Sequence, residues 1–104
     1  MMNQFLKWLD TFSQIEKEDW DTVEQYLNEE QDNFVVKLRR DYPLLLEEDI
    51  HIILLLRLRV SHRKIARLFH ILLASFRTRR YRVKKKMGIQ GEYHFTEFIE
   101  KLYE

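Results

Sequence analysis

The chain has 104 residues, 45% of them hydrophobic and 34% charged, with no Cys, one Pro and two Gly, enough for one domain with a modest core and too little for two. The lack of Cys excludes a disulfide framework, a thiolate zinc site and a Cys nucleophile, and fits a reducing compartment such as the cytoplasm. The net charge of +1 conceals a segregation: residues 1–50 hold five Lys/Arg against thirteen Asp/Glu, a net of −8, and residues 51–104 hold thirteen Lys/Arg against four Glu, a net of +9.

Helical spacing dominates the chain. Phe5, Trp8, Leu9 and Phe12 stand at i, i+3, i+4 and i+7 and predict a first helix from about Asn3 to Ile15. Asp19 is placed to cap a second helix carrying Trp20, Val23 and Leu27, with Asp21 and Glu24 near its positive end. Asp32 is placed to cap a third, with Phe34, Val35 and Leu38 inward, and Tyr42-Pro43 stops it. Glu47 to Leu58 is apolar on most sides and predicts the most buried helix, its Glu47, Glu48 and Asp49 favoured by the dipole at its start. A fifth helix begins at the N-cap residue Ser61 and carries Ile65, Ala66, Leu68 and Phe69. A sixth runs from about Leu73 to Met87 and stops at Gly88. The seventh, about Glu92 to Leu102, presents Phe95, Phe98, Ile99 and Leu102.

The expected fold class is therefore all-α, with an acidic helical segment over residues 1–31 and a second unit over 32–104. The longest apolar run, Ile50 to Leu58, includes His51 and Arg57 and is far short of the roughly 20 residues that span a bilayer. The start, Met1-Met2-Asn3-Gln4, lacks the basic and apolar regions of a signal peptide. A cytoplasmic, non-membrane protein is the expectation.

No acidic residue falls between Asp49 and Glu92, and twelve cations lie from Arg57 to Lys86. Such a block asks for a polyanion, or for neutralisation by the acidic half. On a helical wheel with Arg77 at zero, Phe76, Val83 and Met87 fall at about 240–280° and form one apolar seam. Ala74, Thr78, Tyr81, Lys84 and Lys85 cluster with Arg77 on the opposite face, and Arg80 and Arg82 lie on the flanks. An α-helix inserted in a major groove about 12 Å wide needs this plan, its outer side chains reaching base edges and flanking cations meeting phosphates.

Two stretches, Ser61-His62-Arg63-Lys64-Ile65-Ala66 and Ser75-Phe76-Arg77-Thr78-Arg79-Arg80-Tyr81-Arg82-Val83-Lys84-Lys85-Lys86-Met87-Gly88-Ile89, resemble the LuxR/GerE-type helix-turn-helix. The Tyr42-Pro43-Leu44-Leu45 lead-in and the Arg80-Tyr81-Arg82 triplet look most like a subgroup at the C-termini of tetratricopeptide-repeat regulators. The resemblance covers roughly residues 32–102. It implies double-stranded DNA as partner, Arg77, Thr78 and Tyr81 as base-facing residues, and Ser61, Lys64, Arg80 and Lys85 on the backbone, to which the wheel adds Arg82 and Lys84. It also implies a homodimer joined through Phe98 and Leu102 of the last helix. The chain departs from the family pattern at Leu46, Lys64, His70 and Leu72. Leu46 and Leu72 offer no N-cap acceptor, and Lys64 cannot return a carboxylate to Ser61. Arg63, Lys64 and Arg67 favour non-specific duplex binding.

No catalytic set emerges: Ser61 and Ser75 have no His–acid pair spaced to serve them. His51, His62, His70 and His94 form no ligand set on one helix face, so neither a metal nor a cofactor is expected. The competing reading is a protein-interaction module. In it the acidic N-terminal helices pair with the basic helix of the same or a partner chain, and the Phe5/Trp8/Phe12 stripe docks a sensor or regulatory protein.

Overall fold

The computed structural model describes residues 4–90 and 94–104. Among them the chain forms seven helices and no strand: α1 (Gln4–Asp10), α2 (Lys17–Glu30), α3 (Phe34–Asp41), α4 (Glu47–Arg57), α5 (His62–Leu68), α6 (Leu73–Lys86) and α7 (Phe95–Lys101). The all-α class holds. The expected start of the last helix at Glu92 and that of the first at Asn3 lie outside the described residues.

Helix α4 is the axis of the fold, packed against α2, α5, α6 and α7. Its residues Ile52 to Leu56 are each no more than 1% exposed, because a helix apolar on most sides has to be surrounded. Each such side chain contributes about 1.5–3 kcal/mol by leaving water. Trp20, Val23 and Leu27 of α2 join this same core, as do Phe34, Val35 and Leu38 of α3 and Phe95 and Ile99 of α7.

Two helix starts differ from the sequence reading. Helix α2 begins at Lys17 with Glu16 at the N-cap, and Asp19 sits three residues inside, its carboxylate accepting the Glu16 backbone N–H at 2.9 Å. A carboxylate at that position satisfies an orphan amide as well as a cap does, so the same residue signal fits either register. At α3 the acceptor comes from the preceding helix. Asn28 Oδ1 accepts the backbone N–H of Val35 at 2.9 Å and of Val36 at 3.3 Å. Asp32 and Asn33 take left-handed conformations in the turn, and the Asp32 carboxylate pairs instead with Lys37 at 2.9 Å.

Helix α1 is also shorter than its apolar stripe, ending at Asp10 while Phe12 packs on through the following turn. The Phe5 ring stacks on Tyr26 of α2 at 3.8 Å, and Trp8 meets Phe12 edge-on at 4.6 Å. Phe5 thus faces α2 within the chain.

The turns after α4, α5 and α6 share one design. Arg59, His70 and Gly88 have positive φ, and each turn carries paired 6→1 and 5→2 bonds, as in Ile71 N–H to Ala66 O and His70 N–H to Arg67 O, both 3.0 Å. This Schellman arrangement satisfies the last carbonyls of each helix and sets the exit direction of the chain. Phe69 to Leu72 thereby form the tight link between α5 and α6.

Candidate nucleic-acid interface

The site is built on α6. Its seam of Phe76, Val83 and Met87 is buried, with Phe76 and Val83 fully inaccessible, so the wheel reading of this helix holds. That burial fixes its rotation and leaves Ala74, Arg77, Thr78, Tyr81, Arg82 and Lys85 exposed on the opposite side. Tyr81 is 56% exposed, an uncommon position for so large a ring, and Lys85 Nζ lies 5.2 Å from its centroid. Thr78 Oγ1 donates to the Ala74 carbonyl.

The two flanks of α6 are in different electrostatic states. On one, Arg79 pairs with Glu48 and Lys86 Nζ donates to Asp49 Oδ2 at 2.7 Å. Both acids come from the first turn of α4, where the dipole already favours negative charge. On the other flank, Arg80 is half-buried against His62 of α5, with Nη1 3.1 Å from Nδ1 and 3.4 Å from Nε2. Between the flanks, Arg77, Arg82 and Lys85 pair with no carboxylate among the described residues, and the same holds for Arg63 and Arg67 on α5.

The remaining sequence-chosen residues fall in several places. Ser61 caps α5, its hydroxyl accepting the Lys64 backbone N–H at 3.2 Å. The Lys64 ammonium turns to the segment after α1 and donates to the Phe12 carbonyl at 2.7 Å, where a cation suits the negative end of a helix. Lys84, half-exposed, joins Arg77, Arg80 and Tyr81 along a groove completed by His62, His94, Phe95 and Thr96. Phe98 of α7 and Leu102, its C-cap residue, are half-buried against the core.

Residues outside the sequence-chosen set prove to matter. Glu48 and Asp49 take up α6 cations as well as serving the start of α4, and His62 packs on Arg80 and on the Phe76 ring at 5.3 Å. The charge segregation was the available signal for the former; nothing local in the sequence marks His62. Elsewhere Glu24, Glu47 and His51 bring ligand-type atoms within 4.8 Å of one another. Arg39 already bonds both carboxylates, at 2.9 Å to Glu24, and His51 stacks on Trp20 at 3.9 Å. The arrangement is a satisfied ion network joining α2, α3 and α4.

Compared with known proteins, the chain matches no family model, no curated protein and no solved structure. No helix among the described residues is long and apolar enough to cross a membrane.

Proposed function

We propose that this chain binds double-stranded DNA through the exposed face of α6 and acts as a non-enzymatic, cytoplasmic transcriptional regulator of the LuxR/GerE helix-turn-helix type. The carrying observation is the strip Arg77, Thr78, Tyr81, Arg82 and Lys85, which stays exposed and, among the described residues, without carboxylate partners, while the opposite side of the same helix is sealed in the core. In the complex, Arg77, Thr78 and Tyr81 face base edges, and Arg82, Lys84 and Lys85, with Arg80, meet phosphates. Two copies paired through Phe98 and Leu102 present two such helices about one duplex turn apart.

The test is duplex affinity against salt. The expected log–log slope corresponds to about 4–8 phosphates per protomer, with a steep loss between about 50 and 200 mM salt. A flat response, or no binding at low salt, contradicts the proposal.

One observation favours a second reading. The Glu48–Arg79 and Asp49–Lys86 pairs make contact between the acidic and basic halves inside the chain, as expected of a protein-interaction module. They engage one flank only, and the strip left exposed supports the duplex reading over this one.

A further inference from the structure

The groove between α5, α6 and the start of α7 holds a chemical arrangement that the described contacts leave incomplete. Its volume is about 370 Å³, and Arg77, Arg80 and His62 converge on it. Arg80 Nη1 is almost equidistant from the two ring nitrogens of His62, which puts the guanidinium over the imidazole face rather than along one lone pair. His62 Nε2 is left 3.3 Å from Thr96 Oγ1. Burial comes first in lowering the tendency of His62 to hold a proton, followed by Arg80 and Arg77. Burial, then Arg77, likewise pushes Arg80 below the usual guanidinium range. Among the described residues no carboxylate bonds Arg77 or Arg80. Two cations and a titratable ring thus share a partly enclosed space in which like charges repel more strongly than in open water.

We propose that this groove seats one phosphoryl group, held by Arg80 and joined by His62 once that ring takes up a proton, while Arg77 at its edge adds positive potential and keeps its guanidinium for the bases. The Arg80 fork suits the pair of anionic non-bridging oxygens that a phosphodiester and free phosphate both present. The groups facing His62 are Arg77, Arg80, Tyr81 and Lys84 from α6 and His94 ahead of α7; at neutral pH none of them supplies negative charge. A phosphoryl anion does, and so binding and protonation of His62 promote each other by linkage. The identity of the source rests on the reading of α6 above, since a duplex brings such a group at every nucleotide; the chemistry of the groove is the same for free phosphate.

The experiment follows the His62 ring by NMR across pH in the full chain: alone, with inorganic phosphate, and with a generic duplex. The expected result is a rise of about one unit in the His62 pKa with ligand, equivalent to about a tenfold gain in affinity on acidification. The rise should be lost in Arg80→Gln, whose helix content by circular dichroism serves as the folding control. A rise with both ligands supports the site for a phosphoryl anion from either source, and a rise with duplex alone supports it and assigns it to a phosphodiester. A rise with phosphate while the duplex fails to bind supports the site and removes the duplex reading. An unchanged His62 pKa with both ligands overturns the site, and duplex binding with an unmoved His62 does so while leaving the duplex reading standing.

Discussion

Asp49 ties the first turn of α4 to the last turn of α6: its Oδ2 accepts Lys86 Nζ at 2.7 Å and the Leu46 backbone N–H at 2.8 Å. Leu46 holds the N-cap position without any polar side-chain atom, and the acid three residues on makes good part of that loss. The same carboxylate holds Lys86 away from the exposed strip. Replacing it should act on the fold and on the charge of α6 together. Asp49→Ala is expected to cost about 1–2 kcal/mol in urea unfolding. It should also steepen the duplex salt slope by about one, because Lys86 becomes available to a phosphate.

The exposed face of α6 should separate into two kinds of residue. Arg77→Ala and Tyr81→Ala are expected to flatten any preference among duplex sequences, each base contact contributing about 1–3 kcal/mol of discrimination. Lys85→Ala should weaken all sequences alike and lower the salt slope by about one. Competition binding with a panel of duplexes distinguishes the two; equal, sequence-blind losses from all three contradict base reading by this face.

Much of this arrangement is legible in the residues, and the parts that are not share a cause. The apolar seam of α6, the burial of α4, the Ser61 cap and the Gly88 stop follow from period and local chemistry, which act within one helix. The Asn28 cap on α3 and the burial of Arg80 against His62 join residues 7 and 18 positions apart, and no local pattern encodes such a meeting. Lys64 illustrates the same limit. A cation beside Ser61 is visible in the sequence, but its bond to Phe12, 52 positions away, depends on where α1 lies. The Asp19 start shifts because an acid near a helix start is favourable at more than one position, and Asp32 loses the capping role because Asn28 supplies the acceptor from the preceding helix.

The positive-φ turns give a stability test with opposite signs. Gly88 has φ of +75° with nothing within 4 Å of an added Cβ, so Gly88→Ala isolates the backbone cost and should destabilise by about 1 kcal/mol. His70, with φ of +55° in the turn between α5 and α6, carries that cost already. His70→Gly is expected to raise stability by about 0.5 kcal/mol, less than the full left-handed penalty because glycine also frees the unfolded chain. Thermal or urea unfolding of both variants reads the pair.

Acid should weaken the fold in two stages. His51 and His62 both hold protons less readily than a free imidazole, each chiefly through burial. The unfolded chain, with histidines near 6.5, therefore binds more protons, and the stability that these neutral rings confer is present above about pH 6.5 and lost as pH falls below it. Asp41 follows at lower pH. The Arg40 guanidinium first, and then the Tyr103 hydroxyl, lower its pKa to about 2, so its contribution stands above the ordinary carboxylate range and fades as pH falls toward 2. Urea midpoints between pH 8 and pH 3 should decline in that order; a midpoint that rises on acidification contradicts the assignment.

The duplex-facing role of α6 is tested most directly by mapping backbone amide shifts in the full chain as a generic duplex is added at low salt. The expected map centres on Ala74, Arg77, Thr78, Tyr81, Arg82 and Lys85, with α1 and α2 unmoved. Saturable binding whose shifts fall on α1 and α2 and leave that strip unchanged, or no shift at all, would contradict it.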